Sequence, residues 1–142
     1  MTPRTESTHL ESAQVASGTK PDFSVLGKVF WALANHWDLS RDEQALLLDV
    51  KPNRERLGRL EREQRVPEDR DKAVRIGHML GIHQSLRIMY PHNRELVYSW
   101  MRIPREVFHN HTPLEFIAAG EDTMARIFTV RRYLDMLRMG AA

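Results

Sequence analysis

Residues 23–48, FSVLGKVFWALANHWDLSRDEQALLL, decide the fold class. In the first half of this stretch, apolar side chains recur every three or four residues: Phe23, Leu26, Val29, Phe30, Leu33 and Trp37. This spacing places them on one face of an amphipathic helix. Ser40 then predicts a helix N-cap, and Glu43 completes a capping box ahead of a leucine run. The same helical period continues along the chain without two-residue alternation, so we predict an all-α fold.

Proline, glycine and capping residues divide the rest of the chain into further helices, seven in all. Helix boundaries are expected near Pro52, Pro67, Pro91, Pro104, Thr112 and Gly120. Asn53 is expected to cap the third helix, and Pro67 to occupy the first turn of a long fourth one. Thr112 and Glu115 predict a second capping box. We expect two layers, with helices one to four in one and helices five to seven in the other.

The chain has 142 residues, a length that suits one domain or a small domain with an added module. Its first 22 residues are rich in Ser, Thr, Glu and Gly, and only Leu10 and Val15 are sizeable apolar residues. Such a segment buries too little surface to offset its ordering entropy. We therefore predict a flexible arm over residues 1–22, a helical domain over 23–90 and a second helical domain over 91–142.

Several classes of function are disfavoured by what the sequence lacks. The absence of cysteine removes disulfides and thiolate metal sites and fits a reducing compartment. No apolar run reaches the roughly 18 residues of a membrane span, and the N-terminus lacks the apolar core of a signal peptide, so we expect a cytoplasmic protein. His78 and His83 are five residues apart, whereas a zinc site on a helix uses a spacing of four. We predict no metal site, no cofactor and no catalytic activity.

Charge is concentrated in one segment of a nearly neutral chain, whose formal net charge is +2. Residues 51–75 contain nine Lys and Arg residues against six carboxylates, which leaves +3. A local excess of positive charge suggests a confined contact with an anionic partner. The alternative is a solvated helix of mixed charge without a partner.

The second and third predicted helices, joined by a tight turn, resemble a helix-turn-helix, whose second helix enters the major groove of DNA. Lys51 occupies the turn position where the backbone must bend and where glycine is usual. Arginine reads guanine and asparagine reads adenine, whereas isolated cations suit phosphates. The predicted DNA-binding residues are therefore Arg54, Arg59 and Asn53 for bases, and Lys51 and Arg62 for phosphates. Because the turn and the mixed charge are atypical, a purely structural helical pair is the alternative.

The C-terminal third contains a distinctive series of motifs. They are Trp100-Met101-Arg102-Ile103-Pro104, His111-Thr112-Pro113-Leu114-Glu115, Gly120-Glu121 and Val130-Arg131-Arg132-Tyr133-Leu134. This series resembles the C-terminal domain of the Xre/MbcA/ParS-type antitoxins, and with the preceding helix-turn-helix the resemblance covers residues 23–139. Two positions depart from the family pattern. Arg105 stands where the family has asparagine, and Asn110 stands where it has glycine, although asparagine tolerates the same left-handed backbone.

The resemblance implies an antitoxin whose partner is a RES-domain toxin, an enzyme that degrades NAD. The C-terminal domain would block the entrance of the toxin's active site, and the complex would bind operator DNA and repress its own promoter. Arginine, tyrosine and methionine are enriched at protein interfaces. We therefore place toxin contacts on the last helix, at Arg131, Arg132, Tyr133, Met136 and Arg138. The alternative for Tyr133 and Met136 is packing within the chain.

Three functions are consistent with these residues. The first is the antitoxin, acting as a homodimer. The second is a stand-alone Xre-like DNA-binding regulator without a toxin. The third is an oligomeric scaffold whose helix-turn-helix no longer binds DNA.

Overall fold

The computed structural model describes residues 20–140 and contains seven α-helices and no strand within this range. The helices are α1 (Phe23–His36), α2 (Arg41–Leu48), α3 (Arg54–Glu63), α4 (Arg70–Met89), α5 (Arg94–Ser99), α6 (Pro113–Ala119) and α7 (Thr123–Arg138). Two short 3₁₀ helices, Trp100–Arg102 and Glu106–Phe108, lie between α5 and α6. The prediction of an all-α fold is confirmed. The arm predicted over residues 1–22 lies, up to residue 19, outside the described residues.

Both predicted capping boxes are present. The Ser40 hydroxyl accepts a hydrogen bond from the Glu43 N–H at 3.1 Å, and the Glu43 carboxylate accepts one from the Ser40 N–H at 2.9 Å. Thr112 and Glu115 make the same reciprocal pair at 3.0 and 2.8 Å. Each box satisfies N–H groups that the first helical turn leaves without partners, which explains why these starts were visible in the sequence.

The predicted start of the fourth helix was wrong. Pro67 lies in the connecting segment, and α4 begins at Arg70 with Asp69 as its N-cap. The Asp69 carboxylate accepts a hydrogen bond from the Lys72 N–H at 3.1 Å. An aspartate at the N-cap satisfies an unpaired N–H, whereas a proline in the first turn only lacks one. Upstream, α3 ends at Glu63, because Gln64 adopts the left-handed conformation.

The core is built around α4, which packs on α1 and, most extensively, on α7. Helices α4 and α7 run parallel, since Arg75 bonds Thr123 near their starts and Ser85 bonds Asp135 ten residues later on α4. Buried side chains from both halves of the chain form one hydrophobic cluster, so the packing is continuous across the predicted domain boundary at residue 90. Trp31, Trp37 and Trp100 are all buried in it.

None of the helices described between residues 20 and 140 has the length and apolar character needed to cross a membrane.

Candidate functional site

The turn between α2 and α3 bends at Asp49, and the expectation of a bend at Lys51 was wrong. Asp49 is the C-cap of α2 and adopts the left-handed conformation, with φ 56° and ψ 54°. Aspartate is one of the few residues other than glycine that enter this region at low cost. Lys51 follows in the turn with its side chain exposed to solvent.

Two buried cations of α4 hold this turn. The Lys72 ammonium donates to the Asp49 carbonyl oxygen at 3.3 Å, and the Arg75 guanidinium lies 3.5 Å from the Asp49 carboxylate. Both cations also contact Asp71, at 3.0 and 2.9 Å. Burial raises the pKa of Asp71, but these hydrogen bonds outweigh it and leave that pKa below its ordinary value. Two of the nine cations in residues 51–75 are therefore used inside the protein.

Helix α3 is attached to α1 at a short distance. Leu57 is its one fully buried side chain. A Cβ on Gly27 would lie 3.0 Å from the Arg65 Cα and still closer to the Gln64 carbonyl oxygen, so only glycine fits between the backbones. The Trp31 indole N–H donates to the Arg65 carbonyl oxygen at 2.8 Å. The far end of α3 is thus fixed by backbone contacts.

The outer side of α3 and its preceding turn carry five exposed cations, which we call the α3 face: Lys51, Arg54, Arg56, Arg59 and Arg62. Within residues 20–140, no carboxylate forms an ion pair with any of them. The neighbouring Arg65, in contrast, lies 4.0 Å from Glu63 and 3.7 Å from Glu68. Four of these five were predicted DNA contacts, and Arg56 is an addition that charge counting alone did not single out.

Asn53, the remaining predicted base contact, already has a structural role. Its side-chain oxygen caps α3 by accepting a hydrogen bond from the Arg56 N–H at 2.9 Å. Bidentate recognition of adenine needs both the amide oxygen and the amide nitrogen. With the oxygen engaged, the amide nitrogen is the group that Asn53 retains for a partner.

The structure places the five predicted toxin contacts of α7 in different environments. Arg131 crosses to α4, where its guanidinium lies 3.2 Å from the His78 Nδ1 atom and its stem covers Gly81. The Tyr133 ring contacts Phe108, with centroids 5.6 Å apart. Arg138 lies 3.7 Å from the Asp135 carboxylate, although it remains exposed.

The other two, Arg132 and Met136, are exposed and share a side of α7 with two apolar residues. We call Phe128, Arg132, Met136 and Met139 the α7 stripe. Its apolar members are 45%, 49% and 75% exposed, respectively. The spacing of four, four and three residues aligns them on one helical face. Phe128 and Met139 were not predicted, because an apolar residue on an amphipathic helix is ordinarily assigned to the core.

Arg102, within the Trp100–Pro104 motif, connects the C-terminal segment to α1 and α2. Its guanidinium pairs with Glu43 at 2.6 Å and donates to the carbonyl oxygens of Trp37, at 3.2 Å, and Asp38. Burial raises the pKa of Glu43, but the hydrogen bonds from Arg102 and Ser40, together with the positive charge of Arg102, outweigh it and keep that pKa below its ordinary value. The same pair lines an open cleft between α2 and α6.

Within residues 20–140, no three His, Asp or Glu side chains converge to hold a metal ion. His83 instead stacks in an aromatic cluster, with its ring centroid 6.3 Å from His36 and 6.5 Å from Tyr98. Burial lowers the pKa of His83 to about 4, and the positive charges of Arg87 and His36 contribute to the same effect.

Comparison with known proteins agrees with this arrangement. Residues 85–140 match the family described as the antitoxin Xre/MbcA/ParS C-terminal toxin-binding domain, and this range contains the Arg102 anchor and the whole α7 stripe. The chain is also 31% identical, over 114 residues, to the uncharacterized protein y4oB of Sinorhizobium fredii, an alignment that covers 80% of this chain and 84% of that protein. The chain therefore belongs to the Xre/MbcA/ParS antitoxin family, and residues 85–140 correspond to the C-terminal toxin-binding domain of that family.

Proposed function

We propose that this protein neutralises a RES-domain, NAD-degrading toxin through its last helix and represses its own operon through α3. The observation that carries the proposal is the α7 stripe, an exposed apolar row on the last helix of a toxin-binding domain. The RES identity of the toxin, and the blocking of its active-site entrance, rest on the family resemblance. Neither role requires catalysis by this chain.

The α7 stripe suits a protein partner for a physical reason. Burying apolar side chains contributes about 25 cal/mol per Å² of surface removed from water. Methionine adapts to an irregular opposing surface, and arginine is common at the energetic centre of interfaces. The buried face of α7, formed by Ile127, Val130 and Leu134, is already satisfied by the core. One side of the Phe128 ring contacts His78 of α4, with centroids 5.3 Å apart, and the exposed remainder of the stripe is available to a second protein.

The test of toxin binding is the double substitution Arg132→Glu with Met136→Glu. Both side chains are exposed, so the melting temperature should remain close to that of the wild type. Neutralisation should be lost when the variant is co-expressed with the enzyme encoded next to it. Growth and cellular NAD are the measurements. Tyr133 is avoided, because its ring packs on Phe108.

The matched control is Lys28→Glu with Ala32→Glu, which makes the same charge change at two exposed residues of α1 that are also four positions apart and lie outside residues 85–140. Full neutralisation by the α7 variant at equal protein level would contradict the stripe as the toxin contact. Unchanged cellular NAD on toxin expression would contradict the RES assignment. If no toxin is bound at all, the stand-alone regulator becomes the better function.

DNA binding is supported by the positive charges of the α3 face, which are not neutralised by carboxylates of the described residues. A protein that neutralises phosphates with Lys or Arg releases counterions and gains affinity. The cations of the α3 face have no carboxylate partner within residues 20–140. The turn before α3 is held by Lys72 and Arg75, so these cations project from a rigid base.

The DNA test is Arg54→Ala and Arg59→Ala, measured on the promoter of the protein's own operon. Each should weaken specific binding by about 1–3 kcal/mol. Lys51→Ala should weaken binding to all sequences and reduce the salt slope by about one unit. Arg65→Ala is the control, because that exposed arginine is already paired. A double Arg54/Arg59 variant with a wild-type footprint would contradict this role and favour the scaffold.

The functional unit is proposed to be a homodimer, because two-fold operators are read by two-fold proteins. Exposed Val74 and Ile88 leave apolar surface on α4. Sedimentation equilibrium tests this proposal directly, and a monomer at micromolar concentration would contradict it.

A further inference from the structure

Arg105 holds an unusual position beside the toxin-binding helix. Its guanidinium stacks over the Trp100 ring, with 4.3 Å between the guanidinium carbon and the ring centroid. Its Nε atom is sealed from solvent and has no hydrogen-bond partner among the described residues. No ion pair involves Arg105 within residues 20–140. A half-buried cation is therefore left without a counter-charge, which proteins ordinarily avoid.

Arg126 provides a comparison within the same domain. It also stacks on an aromatic ring, that of Phe116, at the same 4.3 Å. Unlike Arg105, it donates a hydrogen bond to the Phe116 carbonyl oxygen at 3.0 Å. An arginine that stacks on an aromatic ring can therefore still find a hydrogen-bond acceptor. Of these two arginines, Arg105 is the one that lacks an acceptor among the described residues.

The two terminal nitrogens of the Arg105 guanidinium are placed to bind a ligand from outside the chain. Only its Nε is both buried and unpaired, so the two terminal nitrogens remain accessible. Burial lowers the pKa of Arg105, and the phenols of Tyr90 and Tyr133 oppose this only in part. The Trp100 platform fixes the plane of the guanidinium, and a fixed planar fork matches a carboxylate with two parallel hydrogen bonds.

We propose that Arg105 is an anion-binding residue that takes a carboxylate side chain of the partner toxin and contributes to the choice of partner. This inference rests on the proposed antitoxin function. Arg105 precedes the 3₁₀ helix that ends at Phe108, and the Phe108 ring contacts Tyr133 of α7, which places the site beside the helix that carries the α7 stripe.

The first experiment needs no toxin. The Nε–H resonances of Arg105 and Arg126 in the ¹⁵N-labelled full chain are followed during titration with sodium acetate, at constant ionic strength set with sodium chloride. Arg105 should shift progressively and more than Arg126. An equal response of the two arginines would overturn the proposal. A shift with sodium sulfate but not with acetate would overturn the carboxylate assignment.

A possible internal occupant is tested in the same spectra. Glu6 and Glu11 belong to the N-terminal segment outside the described residues. In the full chain, Glu6→Gln with Glu11→Gln should leave the Arg105 resonance unchanged. A shift in the absence of acetate would show that the chain's own carboxylate fills the site and would overturn the partner assignment.

The second experiment measures the affinity of the full chain for the enzyme encoded next to it. Arg105→Gln should weaken the complex by about 10–100-fold, because it leaves a carboxylate of the partner unpaired. Arg126→Gln is the matched control and should change the affinity by less than about threefold. Arg105→Lys keeps the charge but lacks the planar fork, so its affinity should lie between those of Arg105→Gln and Arg126→Gln. If Arg105→Gln folds poorly, the affinity of Arg105→Lys tests the proposal in its place.

The two experiments separate failure of this inference from failure of the antitoxin function. Wild-type affinity in Arg105→Gln overturns the role of Arg105 and leaves the antitoxin function intact. Absence of toxin binding by the wild type overturns both the antitoxin function and the partner assigned to Arg105, whereas the acetate response then reports the anion site alone.

Discussion

Helices α3 and α7 each carry arginines, but they expose opposite chemistry. On α3 the cations face solvent without carboxylate partners among the described residues, and a single side chain, Leu57, is fully buried. On α7 the cations Arg126 and Arg131 reach back to other elements. What α7 leaves exposed includes the apolar members of the α7 stripe together with Arg132 and Arg138. The arginines of α3 are therefore all surface groups, whereas those of α7 are divided between surface and structural positions.

This difference indicates which kind of partner each surface suits. Unpaired cations act over about 8–10 Å and are weakened by salt. An apolar row acts only on contact, and salt affects it little. We expect binding through α3 to fall steeply with salt, as for a DNA partner, and binding through α7 to fall much less, because its contact combines an apolar row with only a few charged groups.

The largest predicted effect tests the α7 side. Trp100→Ala should lower the free energy of unfolding by about 3–5 kcal/mol, because Trp100 is 1% exposed and its removal leaves a cavity. It also removes the platform on which Arg105 stacks. Thermal or urea unfolding measures the change. A loss below about 1 kcal/mol would show that the C-terminal half packs without this anchor.

The next effect concerns the contact between α4 and α5, where the rings of His83 and Tyr98 stack. The pKa of His83 is lowered to about 4 in the folded protein, mainly by burial, whereas the unfolded chain binds this proton near pH 6.5. The unfolded state therefore takes the proton first as pH falls. The stability contribution is fully present above about pH 6.5 and is lost between about 6.5 and 4, by roughly 3 kcal/mol.

Urea unfolding between pH 4 and 7 measures this contribution, and His83→Phe should flatten the profile because phenylalanine keeps the ring but does not titrate. The control is His92→Gln, which replaces an exposed histidine in the loop between α4 and α5. It should leave the profile unchanged. A His83→Phe profile identical to that of the wild type would assign the acid sensitivity to other groups.

A smaller effect tests the attachment of α3. Gly27→Ala should destabilise the protein by about 1–3 kcal/mol, because the new Cβ meets backbone atoms of Gln64 and Arg65 that cannot move aside alone. Promoter binding should weaken with it, since the end of α3 shifts. Calorimetry and a binding titration measure the two effects, and wild-type values in both would mean that α3 is held by Leu57 alone.

The smallest effect is expected at Gly77 of α4, where replacing the glycine should raise stability, whereas the same replacement at Gly27 lowers it. A Cβ at Gly77 meets nothing within 4 Å, so Gly77→Ala should raise stability by about 0.5–1 kcal/mol through helix propensity. Gly81→Ala should gain less, because its Cβ would displace the flexible Arg131 side chain. A destabilised Gly77→Ala in calorimetry would reveal a contact to this face, such as a second copy of the chain.

Local signals account for the parts of the fold that were predicted correctly. Ser40 and Thr112 mark helix starts because a capping box is completed within four residues. Asn110 adopts the expected left-handed backbone, with φ 67°. The prediction from Pro67 was wrong because a proline is permitted in the first turn of a helix, whereas Asp69, two residues later, is the better cap.

The helical class, both capping boxes and the family resemblance could be predicted because they depend on local spacing and residue type. Which charges and apolar groups face outward depended instead on how the helices pack. Lys72 and Arg75 lie inside and hold the turn at Asp49, whereas Arg54 and Arg59 remain exposed. Phe128 and Met139 stay exposed although they are apolar. The physical reason is that burial depends on which helices meet, and the contact between α4 and α7 joins residues about 50 positions apart.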